Sequence, residues 1–188
     1  MKSDIFTEKH GMKHTLSEVE RLGQFCKLSP SDKGKLRLLA EEMLGLTVRL
    51  FDNLKYEFFI ENEGKRFTLN LAAKVITTQS KREKMLSLST DGKNKATQGF
   101  FGKISGVFES LMLNDGECEP IVMPYYDGIG YSSYFALSAY RDEIPLAAKE
   151  VQEEQWDGLE KSIIATLAKD VVIGVRNAKV EMIVEMEF

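Results

Sequence analysis

The chain has 188 residues, enough for one hydrophobic core and too few for two comfortable domains. Its composition, 43% hydrophobic and 29% charged, is that of a globular protein rather than a disordered one. A net charge of −4 argues against nonspecific binding to nucleic acid, and no apolar run approaches the roughly 18–20 residues of a membrane span. We therefore expect a single cytoplasmic domain over 1–188, with neither nucleic acid nor membrane as a partner.

Two amphipathic helices are predicted at the start of the chain. The first covers about 16–28 and forms an N-terminal extension to the main part of the domain, 29–188. Its apolar stripe consists of Leu16, Val19, Leu22, Phe25 and Cys26. The second helix is expected to have Ser29 as its N-cap, Pro30 at the first helical position and Asp32 in the first turn. Its apolar face consists of Leu36, Leu39, Ala40, Met43, Leu46 and Leu50.

Two hairpins are predicted, one after these helices and one at the end of the sequence. The first joins strands at 55–61 and 66–76 through the turn NEGK, and the second joins 171–176 to 179–188. The segments between them are predicted as helices at 80–89, 101–113 and most of 145–170, an irregular insert at about 114–135, and a strand at 133–140. This order predicts an α+β fold, a two-layer sandwich in which helices cover one face of a mostly antiparallel or mixed sheet.

The segment 89–104, STDGKNKATQGFFGKI, concentrates glycine and lysine ahead of a predicted helix. It is not a P-loop, because Thr97 stands where that motif needs a glycine and Ile104 where it needs a hydroxyl. A glycine-rich loop that enters a helix still exposes backbone N–H groups and the positive end of the helix dipole, and Lys93 and Lys103 add positive charge. The segment is either a phosphate site or a solvated loop with a glycine-containing helix start.

The predicted elements follow a distinctive order. The helix sequence LLAEEMLGL precedes two strands, the 89–104 segment precedes a helix, and two strands close the chain. This order resembles the ATP-binding domain of the GHKL superfamily, which includes gyrase-type ATPases, heat-shock chaperones, sensor histidine kinases and anti-sigma-factor kinases. The resemblance implies a Bergerat-like sandwich in which Glu42, or its neighbour Glu41, is the acid of the nucleotide-facing helix. It also implies ATP or ADP as the ligand, with Mg²⁺ as a candidate metal. The residues implied to hold the phosphates from a flexible lid are Lys93, Asn94, Gly99, Gly102 and Lys103.

The sequence departs from the family pattern at two motifs. The family carries a Mg²⁺-binding Asn four residues after the helix acid, where this chain has Gly45 (after Glu41) or Leu46 (after Glu42). The Asp-x-Gly motif that reads adenine is also missing after the second strand. The resemblance therefore supports the fold more strongly than ATPase or kinase-like activity.

A helical wheel chooses between the two glutamates. Counting 100° per residue places Glu42 between Leu38 and Leu46, at the edge of the apolar face, whereas Glu41 points to the exposed side. Glu42 is therefore the better candidate for a general base or a ligand-binding carboxylate. The predicted function is a nucleotide-binding regulatory protein.

The alternative function is a non-catalytic interaction module that kept the fold and lost the nucleotide. Aromatic residues are concentrated around the irregular insert: Tyr125, Tyr126, Tyr131, Tyr134, Phe135 and Tyr140. Such side chains suit either packing over the sheet or an interface with a protein partner or a second copy of the chain. No metal site is predicted at His10 and His14, which lack a third ligand, and Cys26 and Cys118 are expected to be reduced thiols.

Overall fold

The computed structural model of the protein describes residues 2–3, 11–50, 56–74, 121–122, 130–131, 133–146, 152, 162–176 and 179–188. The helices with bounds inside these residues are α1 (Gly11–Phe25), α2 (Pro30–Leu50), α3 (Leu137–Glu143) and α4 (Ile163–Leu167), and a 3₁₀ turn at Ile144–Leu146 follows α3. The strands are β1 (Lys2–Ser3), β2 (Tyr56–Glu63), β3 (Arg66–Lys74), β4 (Ile121–Val122), β5 (Gly130–Tyr131), β6 (Ser133–Ala136), β7 (Asp170–Arg176) and β8 (Lys179–Glu187). The helices predicted over 80–89 and 101–113 lie outside the described residues.

The main sheet has the strand order β1-β2-β3-β8-β7-β6, and each described pair of neighbours is antiparallel. Strands β4 and β5 pair separately as a short ribbon. Both predicted hairpins are confirmed, as β2 pairs with β3 and β7 with β8. The first turns at Gly64, whose φ of 67° is a conformation that glycine adopts without a steric penalty. The predicted α+β class is therefore confirmed.

The helices and one face of the sheet share a hydrophobic core. Burial alternates along β8, where Val180, Met182, Val184 and Met186 are buried and the residues between them are half-buried. This two-residue period directs one side of the strand to the helices and the other outward. From α2, the side chains of Leu36, Leu39, Ala40, Met43 and Leu46 enter the same core. Within the described residues, no helix is both long and apolar enough to cross a membrane.

The start of α2 is capped as predicted. The Ser29 hydroxyl accepts a hydrogen bond from the Asp32 backbone N–H at 3.1 Å and donates one to the Asp32 carboxylate at 2.7 Å. Because the hydroxyl stabilises the ionised carboxylate, and Lys35 adds to the effect, the pKa of Asp32 lies below its ordinary value. The local signals at this helix start were sufficient to locate it.

Helix α1 differs from its prediction at both ends. It begins at Gly11, earlier than expected, and it ends at Phe25, where the stripe was predicted to continue. Lys27 takes a φ of 55°, and the hydrogen bonds Lys27 N–H to Gln24 C=O and Leu28 N–H to Gly23 C=O close the helix. Phe25 is 68% exposed, so it does not belong to the buried side of α1 as the predicted apolar stripe implied.

The segment predicted as a strand over 133–140 changes conformation partway. Strand β6 ends at Ala136 and α3 starts at Leu137. Leu137, Tyr140 and Ile144 are all buried at helical spacing, so the second half of this segment packs as a helix. In the segment predicted as mostly helical over 145–170, Ser162 is extended and caps α4, its hydroxyl accepting from the Ala165 N–H at 3.2 Å.

Candidate functional site

The predicted acid of α2 lies at the boundary between core and solvent. Glu42 is half-buried and Glu41 is exposed, as the helical wheel predicted. Of the two leucines expected to shelter Glu42, Leu46 is only 4% exposed but Leu38 is 43% exposed. Glu42 therefore lies at the edge of the buried face of α2, where a carboxylate can accept hydrogen bonds without the full cost of burying a charge.

Helix α1 fixes which side of α2 carries Glu42. The Arg37 guanidinium donates to the Glu20 carboxylate of α1 at 3.0 Å, so Arg37 marks the side of α2 that faces α1. Glu42 lies five residues further on, about 140° around the helix, on the side away from α1. Glu41 is about 40° from Arg37 and stays near the α1 side. The two neighbouring glutamates thus have different surroundings: Glu41 is exposed on the side of α2 that carries Arg37, and Glu42 is half-buried on the side away from α1.

An open space lies next to Glu42. Gly45 is three residues beyond it and therefore its neighbour on the helix surface. A Cβ added at Gly45 would meet no other atom within 4 Å, although the residue itself is half-buried. Glycine in the interior of a helix costs about 1 kcal/mol relative to alanine, so helix stability does not explain why position 45 is a glycine. Gly45 also stands at one of the two positions where the GHKL resemblance places an asparagine. The sequence shows the glycine at this position but not the open space beside it.

The predicted phosphate ligands Lys93, Asn94, Gly99, Gly102 and Lys103 lie outside the described residues. The same holds for Tyr125 and Tyr126 of the aromatic insert. Their roles stay predictions. Glu42, the predicted catalytic acid, lies within the described part of the chain.

A polar cluster between α3 and the segment joining α4 to β7 was missed by sequence reasoning. The Asp170 carboxylate accepts from the Ser138 N–H at 2.9 Å and from the Ser138 hydroxyl at 3.0 Å. In return, the Arg141 guanidinium of α3 donates to the carbonyls of Ala165 at 2.7 Å and Lys169 at 3.1 Å. A carboxylate thus lies at the start of α3 and a guanidinium at the end of α4, where the helix dipoles favour a negative and a positive charge respectively. We call these side chains the α3 clasp, which joins α3 to the segment between α4 and β7.

The described aromatic residues divide between packing and exposure. The rings of Phe135 and Tyr140 lie 5.8 Å apart in the core, where burial raises the pKa of Tyr140. Tyr134 is 37% exposed and stands opposite Gly174 on the outward face of the sheet. Of the two interpretations offered for these aromatics, packing therefore holds for Phe135 and Tyr140.

Cys26 is a free thiol at the end of α1. Its Sγ is 3.8 Å from the Asn62 Oδ1 of β2, and burial raises the pKa of the thiol, which disfavours the reactive thiolate. His14 lies within α1, while His10 and Cys118 fall outside the described residues. In the part of the chain that the structure describes, no three His, Cys, Asp or Glu side chains are grouped so as to hold a metal ion.

Comparison with protein-family models, with curated proteins and with solved structures gives no match to this chain.

Proposed function

We propose that this protein binds ATP or ADP against α2 and acts as a nucleotide-dependent regulatory protein, as the resemblance to the GHKL superfamily implies. The observation that supports the proposal is the pairing of a half-buried carboxylate, Glu42, with an open space at Gly45 on the adjacent helical turn. The resemblance assigns nucleotide contact to this helix. Because Gly45 has no side chain, a ligand could approach the backbone of α2 closely at this position, beside the Glu42 carboxylate.

In this proposal Glu42 accepts hydrogen bonds from the bound nucleotide, and the lid residues Lys93, Gly102 and Lys103 supply N–H groups and positive charge to the phosphates. Gly45 and Leu46, the positions four residues after Glu41 and Glu42, carry no side-chain oxygen for Mg²⁺. Of these four positions, only Glu41 and Glu42 carry side-chain oxygens that a metal could bind. The proposed function is therefore binding rather than hydrolysis.

Two glycines of α2 provide a matched test. Gly34 and Gly45 lie in the same helix, and a Cβ added at either would meet nothing within 4 Å. Alanine at either position is expected to stabilise the protein by about 1 kcal/mol, because it improves helix propensity without a clash. Only Gly45→Ala places its methyl group in the proposed binding space. We expect it to weaken ATP and ADP binding at least tenfold, with Gly34→Ala unchanged.

The measurement is isothermal titration calorimetry with ATP and with ADP, each with and without Mg²⁺. Lys103→Ala is titrated in the same way to examine the lid. No heat from the wild type at high micromolar nucleotide would overturn the proposal. Equal affinities of Gly34→Ala and Gly45→Ala for the nucleotide would show that it does not bind at this side of α2. Unchanged affinity in Lys103→Ala would show that Lys103 does not contact the nucleotide.

A protein-interaction role without nucleotide is the second candidate. It is supported by Tyr134, an exposed aromatic side chain with a polar tip, which is a residue type enriched in protein interfaces. Light scattering after size exclusion compares the wild type with Tyr134→Ser and with Tyr125→Ser/Tyr126→Ser. Loss of a wild-type dimer in either variant supports the role. A monomer in all three samples counts against a homodimer formed through the aromatic insert.

A further inference from the structure

Glu42 lies between an exposed apolar side chain and an open space on one side of α2. Leu38, one turn before it, is 43% exposed, and a Cβ added at Gly45, one turn after it, would meet no other atom within 4 Å. At about 100° per residue, the three positions fall within about 60° of the helix circumference. At about 1.5 Å per residue they extend over about 10 Å, a length comparable to that of a nucleoside. This side of α2 therefore presents an apolar surface, a carboxylate and a gap in that order.

Two basic side chains that precede Glu42 in α2 already contact other carboxylates. The Arg37 guanidinium is 3.0 Å from the Glu20 carboxylate of α1, and the Lys35 ammonium is 3.1 Å from the Asp32 carboxylate. These two cations are therefore directed to acids of the protein, and they do not place a positive charge between Glu42 and a phosphate group.

The chemistry of the ligand decides which part of a nucleotide Glu42 can contact. An ionised carboxylate only accepts hydrogen bonds, and it offers about four acceptor sites, so it can bond within the protein and to a ligand at the same time. Phosphate oxygens are also acceptors and carry negative charge, so a direct contact between them and a carboxylate is repulsive. The donors of ATP and ADP are the adenine amino group and the 2′ and 3′ hydroxyls of the ribose. All of them belong to the nucleoside half.

We propose that Glu42 accepts hydrogen bonds from the ribose hydroxyls of the ligand, and that it thereby selects ribonucleotides over deoxyribonucleotides. The inference rests on the nucleotide binding proposed above. The flat apolar face of the base lies on Leu38, the ribose hydroxyls meet Glu42, and the sugar ring uses the space that Gly45 leaves. The phosphates extend away from this side of α2. The contact with α2 is therefore independent of the phosphates, and adenosine binds there as well.

The first experiment needs only the wild type. Isothermal titration calorimetry without Mg²⁺ compares ATP with 2′-deoxyATP, 3′-deoxyATP and inosine triphosphate, which has a carbonyl in place of the amino group. A lost hydrogen bond to a charged acceptor weakens binding markedly, so we expect at least one deoxynucleotide to bind about tenfold more weakly than ATP. Inosine triphosphate should change less than threefold. If both deoxynucleotides bind like ATP, the proposal is overturned. If inosine triphosphate alone loses affinity, the carboxylate reads the base and the ribose assignment is wrong.

The second experiment assigns the contact to Glu42. Glu42→Ala should weaken the binding of ATP and of adenosine by the same factor, at least tenfold, with or without Mg²⁺. It should also bind ATP and the weaker deoxynucleotide equally, because the acceptor that distinguishes them is gone. The control Asp142→Ala removes a carboxylate at an exposed position of α3 and should change each affinity less than twofold. Thermal melts check that both variants fold.

Three results with Glu42→Ala would overturn the proposal. Tighter binding of ATP would mean that the carboxylate lies beside the phosphates. A loss of affinity seen only with Mg²⁺ would mean that a metal ion bridges the two. A loss for ATP with none for adenosine would place the contact outside the nucleoside half.

These outcomes differ from those that test nucleotide binding itself. If the wild type does not bind ATP, the proposed function fails and this inference fails with it. If Gly45→Ala weakens ATP binding but the deoxynucleotides bind as tightly as ATP, the proposed function stands and ribose recognition alone is wrong.

Discussion

The α3 clasp predicts a measurable loss of stability when Asp170 is replaced by alanine. Its carboxylate holds the Ser138 N–H at 2.9 Å and the Ser138 hydroxyl at 3.0 Å, across 32 residues of sequence. A buried hydrogen bond to a charged group contributes about 1.5–3 kcal/mol, but Ser138 is exposed and Asp170 half-buried, so water replaces part of each bond. We therefore assign about 1 kcal/mol to each bond with Ser138. Asp170→Ala also removes the 2.8 Å bond from the Val171 N–H, so we expect it to lower the free energy of unfolding by at least about 2 kcal/mol.

The assay is urea denaturation followed by circular dichroism, with the wild type and variants compared at equal slope. Ser138→Ala removes only the hydroxyl and should cost about 1 kcal/mol, since its N–H still bonds to Asp170. In a double-mutant cycle, the two losses should combine to less than their sum, because both variants break one shared contact. A loss below about 0.5 kcal/mol in Asp170→Ala would refute the reasoning, because it would mean that the clasp does not hold α3.

Further substitutions probe the helical layer. Lys27→Gly should raise the free energy of unfolding in urea by about 0.5–1 kcal/mol, because Lys27 has a φ of 55° that glycine adopts more easily; a loss would contradict the proposed end of α1. Met43→Ala should cost about 2–5 kcal/mol in the same assay, as Met43 is fully buried, whereas Phe25→Ser at an exposed position should change stability by less than about 0.5 kcal/mol. Burial raises the pKa of the Cys26 thiol, so its alkylation at pH 8 should be slower in the folded than in the urea-unfolded protein. Because folding favours the neutral thiol, its contribution to stability is complete below the pKa of the unfolded thiol and is lost as the pH rises through the raised pKa of the folded thiol. Equal alkylation rates in the folded and unfolded protein would contradict the raised pKa.

Sequence reasoning succeeded where the signals were local. Ser29, Pro30 and Asp32 lie within four consecutive residues, and together they located the start of α2. The turn at Gly64 and the alternating burial of β8 likewise depend on neighbouring residues, so both hairpins were predicted. The contrast in exposure between Glu41 and Glu42 followed from helical geometry alone.

Prediction failed where a distant residue decides the conformation. The alternation in SYFALSAY is compatible with a continuous strand, but the Asp170 carboxylate meets the chain at Ser138 and stabilises a helix start there. The pairing of Lys2 and Ser3 with β2 involves too few residues to leave a periodic signal. The open space at Gly45 depends on what surrounds α2 in three dimensions. The pattern within a segment does not contain such information.

The position of β8 in the sheet affects how the protein can be assembled during synthesis. This strand is the last of the described elements in the sequence, yet it lies between β3 and β7 rather than at an edge. Until β8 is synthesised, the edge of β3 that it covers lacks this neighbouring strand. Pairing β8 with β3 closes a loop of about 100 residues, at a cost of about 4 kcal/mol in chain entropy. A nascent chain that stops before 179 would hold both helices α1 and α2 and the first hairpin, but it would lack the inner strand that unites the two halves of the sheet. We therefore expect such shortened chains to aggregate through that strand edge, whereas the full chain buries it.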